Sequence, residues 1–241
     1  MTAAGGMRAR LESLELLANN LANTETNGYK TDREFYNLYM SADQNSADAG
    51  DPTTMPVIEK NYTDYSQGAL RATSNPLDLA LQGPGFFAVE SKGQVAYTRN
   101  GAFQMSPDGT LVTPDGFALR SAGANGAPLH VDPSLPFTVT ADGVVHQSGA
   151  ALGQIAVVNF ANPNQLAKQG NTLFSADRQV QTAAPAALVH QGKLEGSNVG
   201  PAESAVRLVN VMRQFEQLQK AVHIGADMNR KAVEEVARVN S

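Results

Sequence analysis

The chain has 241 residues, 42% hydrophobic and 17% charged, so it can bury one large hydrophobic core or two small ones. Its formal net charge of -5 argues against a nucleic-acid binder, because contact with a phosphate backbone requires a basic surface. The chain contains no cysteine, which removes disulfides, thiolate metal sites and cysteine nucleophiles from consideration.

The first predicted element is an amphipathic helix over residues 7–22. Its apolar residues recur at spacings of three and four, and its charged residues fall largely off that stripe. The stripe consists of Met7, Leu11, Leu14, Ala18 and Leu21.

An asparagine-rich stretch, LANNLANTETNGYK at residues 17–30, ends this helix. Asn23 and the Asn27-Gly28 pair suit a helix terminus, because asparagine and glycine accept the left-handed conformation. Asn19 and Asn20 lie a turn earlier, where asparagine is a poor helix former. Local structure therefore explains only part of the stretch. The segment that follows at 41–51, SADQNSADAGD, is small and polar, and it predicts a loop or linker.

Between about residues 75 and 189 the helical rhythm gives way to short apolar runs of strand length. Turn sequences such as Asn-Gly and Asp-Gly separate them, which predicts antiparallel strands joined by tight turns and leaves no room for crossover helices. The nine runs are LDLALQG, GFFAVES, VAYTR, AFQM, TLVT, FALR, FTVT, GVVHQ and QIAVVNF.

The last predicted element is a long helix that begins near Pro201, because proline suits the first helical turn and no other proline follows. Its apolar seam has nearly heptad spacing, with Asn229 as a polar member. At 1.5 Å per residue the helix would extend roughly 55 Å, more than a compact β domain needs as cover, so we expect a partner. The seam consists of Leu208, Met212, Phe215, Leu218, Val222, Ala226, Asn229, Val233 and Val236.

The sequence offers little for catalysis or for cofactor binding. The four histidines stand apart, and no metalloprotease, phosphate-loop, nucleophile-elbow or dinucleotide motif is present. Asp78, Asp108, Asp115 and Asp142 could supply a carboxylate pair, but three of them directly precede glycine, where turn geometry explains them. We therefore expect no enzyme, cofactor, metal or small-molecule substrate. No apolar run approaches the roughly 20 residues that span a bilayer, and no secretory signal pattern is present, so we expect no membrane insertion.

These elements predict an α+β fold in which the N- and C-terminal helices pack on each other as a coiled-coil-like core, with an all-β antiparallel domain inserted between them in the sequence. The alternative is that both helices cover the β domain of a monomer. The predicted boundaries are residues 1–40 for the first helix and asparagine-rich junction, 41–74 for a linker or extended segment, 75–193 for the β domain and 194–241 for the long helix.

Four segments resemble the signatures of bacterial flagellar rod and hook proteins, in the order that family keeps and over nearly the whole chain. Length and the sequence LEGSNV most resemble a basal-body rod protein of the proximal-rod type, with the distal-rod type next and hook protein less similar. The four are ANNLANTETNGYK (18–30), NPLDLALQGPGFFAV (75–89), YTRNGAFQMSPDGTLVTPDGFAL (97–119) and LEGSNVGPAESAVRLVNVMRQFEQLQKAV (194–222).

The resemblance implies that the terminal helices pack with neighbouring subunits into a hollow helical tube, the periplasm-spanning rod that transmits torque for motility. It implies partners among copies of the chain and other rod and hook proteins. It also implies export from the cytoplasm by the flagellar type III apparatus without a cleaved signal. We expect the assembly interface to include the apolar and amide residues Leu11, Leu14, Asn19, Asn20, Leu21, Asn23, Leu208, Met212, Phe215, Leu218 and Val222.

Two other readings need different features. A carbohydrate-binding or hydrolytic β domain with helical flanks would need a carboxylate pair or an aromatic platform, and the chain has no tryptophan and only 6% aromatic residues. A secreted adhesin or export component could use the same helices to oligomerise. For the rod reading we expect the terminal helices to be loosely held before assembly, since the first is near the roughly 12–15 residues below which isolated helices are marginal.

Overall fold

The structure is a computed structural model that describes residues 2–40, 54–91, 93–123, 126–177, 182–183 and 187–239. The predicted linker at 41–51 lies outside these residues. The chain divides into a terminal unit, Met1–Ala22 with Asp32–Tyr62 and Gly200–Ser241, and a central unit, Asn23–Thr31 with Thr63–Val199. The chain therefore crosses between the units at four points, which follow residues 22, 31, 62 and 199.

The terminal unit contains the two predicted helices. Helix α1 spans Thr2–Ala22 and helix α2 spans Pro201–Val239, and the two helices pack against each other. Pro201 is the first residue of α2, and Glu203 and Arg238 suit its positive and negative dipole ends. With 39 residues, α2 is roughly 58 Å long at 1.5 Å per residue.

The terminal unit also contains a pair of strands that the sequence analysis missed. Strand β1 spans Asp32–Met40 and pairs with β2, which spans Thr54–Thr63. The first run was assigned to the asparagine-rich junction and the second to the linker. Pro56 lies within β2 and weakens its strand signal, because proline cannot donate to a β ladder.

The central unit is built of short strands, and every strand pair described within it is antiparallel. This confirms an α+β fold with an antiparallel β-rich part. The strands are β3 Leu70–Ala72, β4 Leu79–Gln82, β5 Phe86–Ser91, β6 Gln94–Thr98, β7 Gln104–Met105, β8 Leu111–Val112, β9 Ala118–Leu119, β10 Phe137–Val139, β11 Val144–Gln147, β12 Ala150–Gln154, β13 Val157–Phe160, β14 Ala167–Gln169, β15 Leu173–Ser175, β16 Thr182–Ala183, β17 Leu188–Gln191 and β18 Lys193–Glu195.

The largest sheet in the described residues runs in the order β14-β15-β6-β5-β9-β8-β7, and β13 pairs with both β5 and β16. Smaller sheets are formed by β10-β11-β12, by β17-β4 and by β18-β3. All nine predicted apolar runs contain a strand. Strands β14 and β18 were not predicted; each is three residues long and carries charged side chains, so its pairing depends on tertiary neighbours.

Strand β5 is buried on both faces, because its apolar run, residues 86–89, contributes to two hydrophobic clusters. Phe87 and Val89 belong to the main hydrophobic cluster, whereas Phe86 belongs to a second cluster. The rings of Tyr65 and Phe174 pack against Phe86 with centroids 5.7 and 5.6 Å away. The predicted Asp-Gly turns are present, and each glycine amide donates to the carbonyl three residues earlier, at Gly109, Gly116 and Gly143.

Candidate functional site

Helix α1 carries five of the predicted interface residues, a sixth follows it directly, and their exposure differs. Leu11 is 45% exposed, Asn19 is exposed, and Leu14 and Leu21 are half-buried. Asn20 is buried within the chain, and Asn23, just after the helix, is buried as well.

Helix α2 has a half-buried stripe with alternating spacings of four and three, which is the heptad spacing of packed helices. Leu208, Phe215 and Leu218 lie on it as predicted, whereas Met212 is 47% exposed. Val222 continues the spacing but is 41% exposed. The sequence analysis overlooked Val211 because the choice between adjacent apolar positions depends on where α1 packs. The stripe consists of Ser204, Leu208, Val211, Phe215 and Leu218.

From residue 219 to residue 232 the long helix is not covered by any described part of the chain. Every side chain from 219 to 232 is exposed, including Val222, Ile224 at 51% and Met228 at 66%. Helix α1 has 21 residues against 39 in α2, so it is too short to pair with the whole of α2. The second half of α2 therefore presents an amphipathic surface that another chain could bury.

Asn20 uses both groups of its amide inside the terminal unit. Its Nδ2 donates to the carbonyl of Asp32 at 2.8 Å, and its Oδ1 accepts from the amide N–H of Asp32 at 3.2 Å. The side chain therefore mimics a neighbouring strand at the start of β1 and links the last turn of α1 to it. An intermolecular role for Asn20 stays a prediction, and this link is the role that its geometry supports.

We expect Asn20→Ala to weaken the terminal unit by about 1–3 kcal/mol, because the partly buried backbone groups of Asp32 would lose their amide partner. The matched control is Asn210→Ala on the exposed side of α2, which removes no such contact. Thermal unfolding of both variants followed by circular dichroism checks this. An equal change in the two variants would contradict the structural role of Asn20.

A buried ion cluster in the central unit joins three residues from the family-like segments. Lys30 Nζ lies 2.6 Å from Glu195 Oε1, and Arg99 Nη1 lies 3.1 Å from Glu195 Oε2. Lys30 and Glu195 are fully buried, and Arg99 is 4% exposed. Backbone groups complete the cluster, since Gly68 N donates to Glu195 Oε1 at 2.9 Å and Lys30 Nζ donates to the carbonyl of Ser66 at 2.6 Å.

The cluster contains two cations and one anion in a desolvated place. Burial lowers the pKa of Lys30 from its ordinary value, and the attraction of Glu195 opposes that shift. Burial lowers the pKa of Arg99 in the same way. Arg99 also donates to the carbonyl of Gly83 at 2.6 Å and lies 5.4 Å from the ring centroid of Phe86, and both contacts stabilise its positive charge. Among the described residues, Glu195 is the side-chain anion that pairs with both cations.

Asn198, in the LEGSNV motif, forms a second network next to the cluster. Its Oδ1 accepts from the N–H and hydroxyl of Thr31 at 2.8 and 2.7 Å, and its Nδ2 donates to the carbonyl of Asp64 at 2.8 Å. The amide of Asp64 donates to the carbonyl of Thr31 at 2.8 Å. One side chain thus joins three separate segments of the central unit.

Gly28 explains the Asn-Gly pair at the end of the asparagine-rich stretch. Its φ is +69°, and a Cβ at this position would collide with the backbone of Arg99 and Asn100. Its amide donates to the carbonyl of Glu195 at 2.7 Å. Glycine is required here because two backbones meet, which the pattern of a helix terminus alone did not reveal.

Lys30, Arg99, Glu195 and Asn198 were not predicted as site residues, although each lies in one of the four family-like segments. The sequence did carry a signal for these charged residues, because Lys30 follows Tyr29, Arg99 ends the strand-like run VAYTR, and Glu195 directly precedes Gly196. That signal does not indicate which charges meet, because Lys30 and Glu195 are 165 residues apart.

Asp108 and Asp115, two of the aspartates considered for a carboxylate pair, are both exposed in the structure. Hydrogen bonds from Ser106 and Thr110 lower the pKa of Asp108, which is the opposite of what a general acid requires. An open depression of about 500 Å³ in the central unit has one carboxylate in its lining, Asp115. In the described part of the chain no group of histidine, aspartate and glutamate residues could hold a metal ion. Nor is any described helix both long and apolar enough to cross a bilayer.

The structure pairs a short helix near the start of the sequence with a long helix near its end, and an antiparallel β-rich unit lies between them in the sequence; these features are those of a structural subunit. Three family models match the chain: "Flagella basal body rod protein" at residues 1–30, "Flagellar hook protein FlgE/F/G D1 domain" at 80–147 and "Flagellar basal body rod FlgEFG protein C-terminal" at 190–235.

Curated relatives match over almost the full length. The flagellar basal-body rod protein FlgF of Caulobacter vibrioides is 33% identical, with 94% of this chain and 93% of the relative covered. The rod protein FlgG of Agrobacterium fabrum is 33% identical, with 94% of each covered, and FlgG of Buchnera aphidicola is 29% identical, with 94% and 95% covered. The chain belongs to the flagellar basal-body rod protein family. The matches to both FlgF and FlgG support a rod protein of the proximal or distal type.

Proposed function

We propose that this chain is a structural subunit of the flagellar basal-body rod that self-assembles through its terminal helices into a hollow helical drive shaft and transmits torque for motility. The observation that carries this proposal is the uncovered second half of α2, where every side chain from 219 to 232 is exposed. The family membership supplies the assembly that such a surface would serve.

The assembly proposal follows from the physics of repeated contacts. Helices α1 and α2 of one chain would pack coiled-coil-like, and the uncovered part of α2 would bury its apolar side chains against neighbouring copies. Heterologous contacts that do not close repeat along a tube, so modest interfaces add up to a stiff filament. The exposed residues Leu11, Met212 and Val222 suit such contacts between copies, and the half-buried Leu14, Leu21, Leu208, Phe215 and Leu218 suit the packing of the helices.

Further parts of the proposal concern place and partners. The partners are copies of the chain, other rod and hook proteins, and the flagellar type III export apparatus. The place is the periplasm-spanning rod, reached without a cleaved signal peptide. Length and the LEGSNV sequence favour the proximal-rod type. Residues 1–40 with 194–241 would form the helical core domain, and 75–193 the β domain, while the compact central unit runs on to Val199.

A truncation that ends the chain at Leu218 tests self-assembly, because it removes the uncovered part of α2 and keeps the stripe that includes Leu208 and Phe215. We expect the full chain to form larger species as its concentration rises in sedimentation velocity, and the truncated chain to stay monomeric. Equal sedimentation of the two chains at all concentrations would count against assembly through α2.

A further inference from the structure

We infer that Asn198 and the Lys30–Glu195–Arg99 cluster form a clasp that holds three of the four chain crossings of the central unit at one place and passes force from them into the β core. The load-carrying part of this inference rests on the proposed function in the rod. The holding of the crossings rests on the hydrogen bonds of the central unit alone.

The outer layer of the clasp is the Asn198 network. Thr31 is the last residue before one crossing, Thr63 the first after another, and Val199 the last before a third. Asn198 binds Thr31 and Asp64 through its side chain, and Asp64 binds Thr31 through the backbone. Each of the three crossings is therefore hydrogen-bonded, directly or through the adjacent residue, to the other two.

The inner layer is the ion cluster, which ties the same segments a second time. Lys30 precedes Thr31, and its ammonium binds both Glu195 and the carbonyl of Ser66. Glu195 also accepts from the amide of Gly68. Arg99 binds Glu195 and directly follows Thr98, the last residue of β6. Strand β6 in turn pairs with the buried strand β5. Charged hydrogen bonds thus link Lys30, the residue before Thr31 at one crossing, through Glu195 to Arg99, which directly follows β6 of the largest sheet.

The short strand next to the last crossing benefits most from such a clasp. Strand β18 lies just before the last crossing and pairs with β3 in a sheet of two strands, each only three residues long. A force applied at Val199 would peel so short a pair open one hydrogen bond at a time. Glu195, the last residue of β18, and Asn198, just before Val199, each bind two other segments of the chain. The bonds to Thr31, Asp64, Lys30 and Gly68 would therefore have to break together before the strand pair opens.

Hydrogen exchange of the full chain tests the clasp, with Asn198→Ala compared with Asn164→Ala, an exposed asparagine of the same unit. The informative amides are those of Gly28, Asp64 and Gly68, which bind groups other than the side chain of Asn198. We expect Asn198→Ala to speed their exchange at least tenfold while the β5 and β6 amides keep their rates. Acceleration of the Thr31 amide alone, or of the whole unit equally, would overturn the clasp.

A milder variant keeps the test available if Asn198→Ala does not fold. Thr31→Val removes only the hydroxyl bond to Asn198, and it should speed exchange at the same three amides about threefold. No change at those amides would also overturn the clasp.

The load-carrying part is tested in cells that express either asparagine variant in place of the wild-type chain. Asn198→Ala cells should swim like Asn164→Ala cells in dilute medium and at least twofold slower in viscous medium. Equal speeds in both media would overturn load transfer. If cells lacking the chain swim normally, the proposed rod function fails, whereas the exchange result still decides whether the crossings are clasped.

Discussion

Glu195→Gln should destabilise the central unit by about 3–5 kcal/mol, because it leaves Lys30 and Arg99 buried without their shared anion. Lys30→Met should cost less, about 1–3 kcal/mol, since it removes one cation and leaves a balanced pair between Arg99 and Glu195. The order of the two losses follows from the two-to-one charge ratio. Urea unfolding followed by tyrosine fluorescence would measure both.

Glu25→Gln is the matched control for this prediction. Glu25 also pairs with an arginine, Arg71 at 3.6 Å, but the two side chains are 81% and 63% exposed. Water and salt screen such a pair, so its loss should change stability little. A Glu195→Gln variant as stable as Glu25→Gln, or more stable than Lys30→Met, would contradict the account of the buried cluster.

Val222→Asp should leave the chain folded and abolish motility. Val222 is 41% exposed and continues the spacing of the α2 stripe beyond Leu218, the last half-buried residue of that stripe. A carboxylate at this position therefore remains in water in the free chain. In an assembled rod it would place a charge in every copy of a helix contact, and desolvating an unpaired charge costs several kcal/mol. Swimming should fall to the level of cells without the chain.

Gln217→Asp is the control, because it adds the same charge at an exposed position about 140° away around the helix. Circular dichroism of both purified variants should match the wild type. Normal swimming with Val222→Asp, or equal loss with both variants, would show that the uncovered stripe of α2 is not the assembly surface.

The sequence predicted the elements whose signals are local. Apolar spacing located both helices, and Pro201 placed the start of α2 correctly. Apolar runs between Asp-Gly turns located strands such as β5. Strands β1 and β2 were missed because Pro56 and the polar ends of these runs obscure the pattern.

The candidate site was predicted less well because it depends on contacts between distant segments. The spacing could not separate Val211 from Met212, since the packing of α1 decides which of the two is covered. The intermolecular role of Asn20 stays a prediction, and the bond from its amide to Asp32, twelve residues away, was not predicted. The partners of Lys30 and Glu195 follow only from the folded chain, in which their motifs meet.

The central claim, that this chain builds the rod through its helices, is tested most directly by electron cryo-microscopy of basal bodies. The preparations would come from cells that lack the chain and from the same cells supplied with the wild type, Val222→Asp or Gln217→Asp. We expect complete rods with the wild type and Gln217→Asp, and truncated or missing rods with Val222→Asp and without the chain. Complete rods in cells that lack the chain would contradict the claim.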